Sequence, residues 1–108
     1  MTYVFDIDGT ICSLTEGDYK NAIPYVKRIN KVNSLYKEGN EIIFFTARGM
    51  GRTKNDPNLA HELFYELTCK QLLDWGVKYN KLWLGKPSGD FYIDDKGIKD
   101  EDFFDTRN

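Results

Sequence analysis

The 108-residue sequence has few cysteines and prolines, no long apolar run and no large excess of charge. Its two cysteines, Cys12 and Cys69, are too few for a disulfide framework and lack the spacing of a zinc site. No apolar run approaches the roughly 20 residues that a membrane helix needs. The first residues, MTYVFDIDGT, lack the basic and apolar regions of a signal peptide. These absences predict a cytoplasmic protein with no membrane partner.

The charges nearly balance, with 15 basic and 17 acidic residues and a net charge of −2. This balance disfavours nucleic acid as a partner, because such proteins usually carry a basic surface. Any anion that the protein binds must therefore be held by a local site. Hydrophobic residues make up 41% of the chain and charged residues 30%, which is typical of a globular protein. The length predicts a single domain over residues 1–108.

Strand-like and helical patterns alternate along the chain. Runs of β-branched and aromatic residues predict four strands, at 2–7, 41–46, 81–85 and 90–94. Helical spacing of apolar residues predicts one helix that begins after Asn21 as N-cap and ends at Gly39, and a second over about 58–75. In the second helix the core-facing residues are expected to be Leu63, Phe64, Leu67 and Leu72, and a short helical turn is expected in the tail 97–108. The order predicts an α/β fold whose mostly parallel sheet is covered by helices on both faces.

Polar side chains follow each predicted strand. They are Asp6 and Asp8 after the first, Thr46, Ala47 and Arg48 at the second, Lys86 after the third, and Asp94 and Asp95 at the fourth. Ligands of parallel sheets collect at the carboxyl ends of the strands, so we expect these side chains at one edge. Converging carboxylates repel one another unless a cation such as Mg²⁺ lies among them. A hydroxyl and an ammonium group beside that cation suit a phosphoryl group.

Two acidic residues lie close together after the first predicted strand. Asp6 and Asp8 are two residues apart, so their side chains start on the same face of the strand. One carboxylate can attack phosphorus while the other handles protons. Gly9 allows a sharp turn directly afterwards, and the Thr10 hydroxyl can bond the nearby backbone.

Four short motifs, in order, resemble those of the haloacid dehalogenase (HAD) superfamily of aspartyl phosphatases. They are VFDIDGT, IIFFTAR, GKP and FYIDDK, and together they span residues 3–96. The size and the residues around FTAR and YIDDK are similar to small phosphatases of capsule and surface-polysaccharide biosynthesis. Too few residues lie between the motifs for a cap domain, so the chain resembles the capless subclass. An open site implies either a large substrate or a homo-oligomer whose neighbouring subunit completes the site as a lid.

The resemblance implies a Rossmann-like, HAD-type three-layer sandwich and a Mg²⁺-dependent phosphomonoesterase. Asp6 would be the nucleophile and would form an aspartyl-phosphate. Asp8 would protonate the leaving oxygen and then activate a water molecule. Thr46 and Lys86 would bind the transferring phosphoryl group. Mg²⁺ would be held by the Asp6 carboxylate, the Asp8 backbone carbonyl and one acid of the last motif.

The resemblance leaves several assignments open. Asp95 is favoured as the direct metal ligand, with Asp94 as a ligand or a residue behind it. Thr10, Ala47 and Arg48 are expected to bind substrate, with Arg48 on a phosphate or leaving-group oxygen, although a solvated loop at 48–58 is an equal alternative. The expected substrate is a sugar phosphate or a similar small metabolite. Other interpretations of the same motifs are a receiver-like module that is phosphorylated on aspartate, and a polynucleotide 3′-phosphatase.

Overall fold

The computed structural model describes residues 1–105; the end of the predicted domain and tail, 106–108, lies outside the described residues. The strands are β1 (Thr2–Phe5), β2 (Glu41–Thr46) and β3 (Lys81–Leu84). The helices are α1 (Val26–Lys37), α2 (Pro57–Asp74) and α3 (Asp100–Phe104), and a 3-10 turn lies at Tyr19–Asn21. The last helix matches the helical turn that was predicted in the tail. In the described part of the chain, no helix is both long and apolar enough to cross a membrane.

The sheet contains three parallel strands in the order β1-β2-β3. Phe5 lies beside Phe44, and Thr46 lies beside Leu84, so the carboxyl ends of the three strands are nearly level. The prediction of an α/β fold with a parallel sheet is confirmed. The predicted convergence of the first three strand ends follows from this register.

One face of the sheet carries the hydrophobic core. The sheet contributes the alternating side chains Tyr3, Phe5, Ile42, Phe44, Leu82 and Leu84. Ile29 and Val32 of α1 and Leu72 of α2 pack against this face, so both long helices lie on the same side. The rings of Phe103 and Phe104 in α3 lie close to that of Phe5, at centroid distances of 5.6 and 5.9 Å.

The other face of the sheet, called the open face here, carries Thr2, Val4, Ile43, Phe45, Lys81 and Trp83. Val4 is 59% exposed and Trp83 is 50% exposed, whereas Ile43 of the central strand is only 5% exposed. The strand residues of the core cluster all belong to the opposite face, together with the cluster's residues from α1, α2 and α3. The predicted three-layer arrangement is therefore not confirmed in the described residues. Two right-handed crossovers that advance in the same direction across a sheet place both helices on one face.

The fourth predicted strand, 90–94, is wrong. These residues form no strand in the structure, and all of them are exposed. A parallel connection needs about a dozen residues to return to the amino end of the sheet. Only residues 85–89 lie between β3 and the predicted strand, so the chain cannot make that return.

The helix bounds differ from the predictions where loops compete with them. Bonds from Ser13 N to Ile23 O (2.9 Å) and from Tyr25 N to Ile11 O (2.8 Å) hold residues 22–25 extended. Therefore α1 begins at Val26 rather than just after Asn21.

The second helix begins close to its predicted start. The Asp56 carboxylate accepts hydrogen bonds from Asn58 N and Leu59 N and caps the helix. Phe64 and Leu72 are buried as predicted, whereas Leu63 is half-exposed and Leu67 is only partly buried. Two polar residues that were not predicted to be in the core, Thr68 and Gln71, occupy buried positions of α2.

Candidate active site

A tight turn places Asp6 and Asp8 at the carboxyl end of β1. The Ile7 side chain is fully buried, and its carbonyl accepts hydrogen bonds from Thr10 N (3.0 Å) and Ile11 N (2.9 Å). Gly9 has a φ of +80°, which glycine adopts without strain. The buried Ile7 anchors the turn, so the acidic residues on either side of it are held at the sheet edge.

Asp6 and Lys86 lie together at this edge. Lys86 Nζ is 4.0 Å from Asp6 Oδ2, and both side chains keep some exposure. Lys86 N donates to Thr46 O at 3.2 Å, which ties the residues after β3 to the end of β2. Burial raises the pKa of Asp6, and the positive charge of Lys86 opposes that shift in part. The pair thus places a carboxylate and an ammonium group side by side at the sheet edge.

Asp8 is held by a buried arginine. Arg48 donates from Nε to Asp8 Oδ2 at 2.9 Å and from Nη2 to Asp8 Oδ1 at 3.0 Å. Its Nη1 donates to Gln71 Oε1 at 2.5 Å and to Thr68 Oγ1 at 3.2 Å. Arg48 is only 1% exposed, although it belongs to the residues that line the cavity described below. Its guanidinium is bonded to Asp8, Thr68 and Gln71, and its binding of substrate stays a prediction.

The residues that surround this guanidinium were not predicted from the sequence. The Arg48 Cζ atom lies 4.9 Å from the centre of the Tyr19 ring, and Tyr19 Oη accepts a hydrogen bond from Gly49 N at 2.9 Å. Gln71 Nε2 donates to Tyr19 O at 2.6 Å. A signal for two of them existed in the sequence, because Thr68 and Gln71 are three residues apart among the apolar residues of α2.

Cys12 lies behind the same acid. Its thiol donates to Asp8 Oδ1 at 3.5 Å, and the side chain is fully buried. The pKa of Cys12 is raised to about 12, mainly because the thiol is buried and in smaller part because the negative charge of Asp8 is close. The thiol is therefore neutral at physiological pH and is not a nucleophile.

An open cavity of about 250 Å³ lies over these residues. It is lined by side chains at the ends of β1 and β2 and by the loop before the 3-10 turn: Asp6, Asp8, Thr46, Ala47, Arg48, residues 14–17 and Tyr19. Within residues 1–105, the buried Thr15 hydroxyl lacks a hydrogen-bond partner. Thr15 belongs to the residues that line the cavity.

Thr10 does not line this cavity. Its N–H donates to Ile7 O, and its carbonyl accepts from Arg28 Nη1 at 3.1 Å. The structure therefore places Thr10 in the closure of the turn, whereas the prediction had it on the substrate.

The structure does not bring Asp94 and Asp95 to this site. Both residues are exposed, and Asp94 Oδ1 accepts a hydrogen bond from Lys96 N at 2.8 Å, which lowers the pKa of Asp94. Among the described residues, no group of three or more acidic, histidine or cysteine side chains could hold a metal ion.

A smaller set of oxygen atoms remains at the sheet edge for a hard cation. Mg²⁺ commonly takes one or two carboxylates and completes its shell with water and phosphate oxygens. The Asp6 carboxylate and the Asp8 backbone carbonyl would be the two protein ligands of such an ion. The Asp8 carboxylate is engaged by Arg48 and does not contribute.

Comparisons with known proteins support the fold and name no activity. No family model matches the chain, and no curated protein matches it. A crystal structure of a structural-genomics target from Vibrio cholerae is similar, with a TM-score of 0.89 and 26% sequence identity. The similarity covers 98% of this chain and 89% of that one. Because that target carries no functional name, the similarity bears on the fold alone.

Proposed function

We propose that this protein is a Mg²⁺-dependent phosphomonoesterase of the capless HAD type that acts through an aspartyl-phosphate on Asp6. The observation that carries the proposal is the pairing of a cavity-facing carboxylate, Asp6, with Lys86 at the carboxyl edge of a parallel sheet. The resemblance of four ordered motifs supports the same reaction. The similar crystal structure supports the fold that positions them.

Asp6 is suited to attack phosphorus. It faces the cavity, while the second acid, Asp8, is fixed beside it by two hydrogen bonds from Arg48. An Asp6 carboxylate oxygen forms a bond to phosphorus, and the bond from phosphorus to the substrate oxygen breaks. That leaving oxygen takes a proton from Asp8, which enters this step protonated on one oxygen, with the hydrogen bond from Arg48 to that oxygen released. A water molecule then attacks the aspartyl-phosphate, Asp8 accepts its proton, and inorganic phosphate leaves.

Two further side chains bind the phosphoryl group in this proposal. Lys86 supplies a positive charge, which is worth most where charge spreads over the equatorial oxygens of the transition state. The Thr46 hydroxyl accepts a hydrogen bond from Arg48 N at 3.2 Å, so its own O–H remains free to donate into the cavity. Mg²⁺, when bound by Asp6 and the Asp8 carbonyl, supplies further charge for the phosphoryl oxygens.

The substrate class follows from the shape of the site. The cavity is open and lined by polar groups, and the residues between the motifs leave no room for a cap. A small phosphomonoester, most simply a phosphorylated sugar, fits such a site. The link to surface-polysaccharide biosynthesis and the cytoplasmic location are part of this proposal and rest on the resemblance of the sequence.

Steady-state phosphate release tests the proposal. The purified protein should release phosphate from p-nitrophenyl phosphate and from members of a sugar-phosphate panel, and chelation of Mg²⁺ should stop the release. Asp6→Asn should lower kcat at least about 1,000-fold, because it removes the attacking atom. Asp74→Asn, an exposed site on α2, is the matched control and should keep wild-type turnover.

Two results would contradict this function. Near-normal turnover by the Asp6→Asn variant would exclude Asp6 as the nucleophile. A single phosphorylation event without repeated release would favour the receiver-like alternative.

A further inference from the structure

The outer edge of β1 is unpaired. Within residues 1–105, β1 forms its ladder with β2 alone. Val4, in the middle of β1, is 59% exposed. An unpaired edge strand offers a row of N–H and C=O groups to any strand that can reach it. This edge is directly adjacent to Asp6, so a strand added here would end at the candidate site.

Residues 90–95, called the exposed segment here, have the composition of a strand without its partner. Phe91 is 84% exposed, Ile93 is 97% exposed, and Tyr92 is more than half exposed. Aromatic and β-branched residues favour strands because they pack on a pleated surface. Monomeric proteins rarely leave such a run in water, so its exposure indicates that something else covers it.

The exposed segment cannot pair with β1 of its own chain and bring Asp94 to Asp6. A parallel pairing would need about a dozen connecting residues, and the connection is limited to 85–89. An antiparallel pairing would run toward the amino end of β1. Asp94 would then lie at the edge of the sheet opposite to Asp6. Within one chain, the exposed segment therefore cannot pair with β1 and also place Asp94 beside Asp6.

We propose that two copies of this chain exchange their exposed segments, so that each copy adds a parallel strand to the β1 edge of the other. With Asp94 beside Asp6, the register places Ile93 beside Phe5 and Phe91 beside Tyr3. The two most exposed apolar side chains of the segment thereby reach the core face of the sheet. There they meet the side of the sheet that already carries the rings of α3.

A second copy is the occupant that the chain itself specifies. Each molecule has one unpaired segment, and within residues 1–105 the outer edges of both β1 and β3 are unpaired. Asp6 directly follows β1, so the β1 edge is the one that leads to the candidate site, and a two-fold exchange covers this edge and the segment in both copies. The exchange also brings Asp94 and Asp95 of one copy to Asp6 of the other. Neighbouring carboxylates repel, so this assembly needs a cation at their meeting point. Mg²⁺ should therefore favour the dimer; this last step rests on the proposed function, whereas the strand exchange does not.

Cysteine cross-linking tests the exchange without any assay of activity. Val4→Cys and Tyr92→Cys chains are refolded together with Mg²⁺ and oxidised. The proposed register puts these residues side by side on adjacent strands, so the mixture should give a covalent species of twice the 12.6 kDa chain mass. Val4→Cys mixed with Leu73→Cys, which replaces a residue of α2 that is more exposed than Tyr92, is the control and should give no such species.

Substitutions in the exposed segment test the same contact by disrupting it. Phe91→Asp with Ile93→Asp should shift the molar mass in solution from dimer to single chain, because these side chains would be buried only between copies. The circular dichroism spectrum should stay unchanged, since both residues are exposed within the chain itself. Leu73→Asp should leave the wild-type mass unchanged.

Complementation connects the exchange to turnover. Asp6→Asn chains and Asp94→Asn/Asp95→Asn chains are each expected to be inactive alone. After refolding together in equal amounts, half of the dimers are mixed, and each mixed dimer has one intact site. The mixture should therefore recover about a quarter of wild-type activity, as random pairing of two chains in a two-fold dimer requires.

The outcomes separate the two proposals. A single-chain mass for the wild type with Mg²⁺, or a Val4→Cys/Tyr92→Cys double variant that closes only within one chain, would overturn the exchange even if the protein is a phosphatase. Cross-linked dimers that lack phosphatase activity would keep the exchange and overturn the proposed function.

Discussion

Arg48 is the residue whose role changed most between sequence and structure. Next to the end of β2 it had the position of a substrate-binding cation, yet its guanidinium is buried and bonded to Asp8, Thr68 and Gln71. Planar geometry with several donors suits this task, because one arginine can satisfy several acceptors in fixed directions. In the proposed reaction, Arg48 therefore acts through Asp8.

Removal of this guanidinium should be costly. Arg48→Ala leaves Asp8, Thr68 and Gln71 without their shared partner, and loss of one member of a buried ion pair typically costs about 3–5 kcal/mol. We expect a loss toward the lower end of that range in urea unfolding, because Asp8 keeps some exposure. Arg52→Ala, at an exposed arginine of the same loop, should change the free energy of unfolding by less than about 0.5 kcal/mol. Equal effects of the two variants would contradict the role assigned to Arg48.

Asp6 should destabilise the folded protein at neutral pH. Burial raises its pKa above the ordinary value of 3.8, so the folded state binds the proton more tightly than the unfolded state does. The stability from this group is complete below pH 3.8 and is lost as pH rises through the raised pKa. Asp6→Asn should therefore be more stable than wild type at pH 7, and the difference should vanish below pH 3.8. A pH-independent difference between the two unfolding curves would contradict this account.

At the scale of elements, the loop after β2 connects the site to α2. Gly49 has a φ of +78°, and a Cβ atom there would lie 2.6 Å from Phe64 Cδ2. The loop thus lies directly against α2, the helix that also carries Thr68 and Gln71. Because of this close approach, the Thr68 and Gln71 side chains of α2 contact the guanidinium of Arg48.

Paired glycine substitutions measure that approach. Gly39 has a φ of +93°, and a Cβ atom there would meet no other atom within 4 Å, so Gly39→Ala reports the backbone strain alone. That strain should cost about 1–2 kcal/mol. Gly49→Ala adds a clash with the Phe64 ring and should cost at least about 1 kcal/mol more in thermal or urea unfolding. If both variants lose the same stability, the loop does not pack on α2 as described.

At the scale of the whole molecule, the core is one-sided. Both long helices pack on the face that carries Phe5 and Phe44, while the open face keeps Val4 and Trp83 in contact with water. Parallel sheets usually have both faces covered. The exposed open face, the free edge of β1 and the exposed segment 90–95 together describe a chain with unsatisfied apolar surface.

Truncation on the two faces should show this asymmetry. Phe44→Ala removes a fully buried ring and should cost about 3–5 kcal/mol of folding free energy. Trp83→Ala removes a larger side chain that is half exposed, and it should cost less than half as much. Denaturant unfolding of both variants at one protein concentration checks the ratio. A Trp83→Ala loss as large as that of Phe44→Ala would show that the open face is buried.

Much of the architecture was accessible from the sequence alone. Of the four strands predicted, three are present, and both predicted long helices are present. Runs such as EIIFFT and the spacing of Ile29 and Val32 indicated them, because strand and helix patterns are local properties of the chain. The glycine after Asp8 and the order of strand ends predicted that Asp6, Asp8, Thr46 and Lys86 would share one edge. The register of the sheet places the ends of these strands together.

Only the tertiary structure decided which partner each of the remaining side chains meets. The sequence cannot show that Arg48 points inward, because that depends on Thr68 and Gln71, 20 and 23 residues away. Nor does the apolar pattern of residues 90–94 reveal that the connection before it is too short for a parallel return. Local patterns record which residues favour a strand or a helix, whereas crossover direction, connection length and burial set the neighbours, and these exist only once the chain has packed.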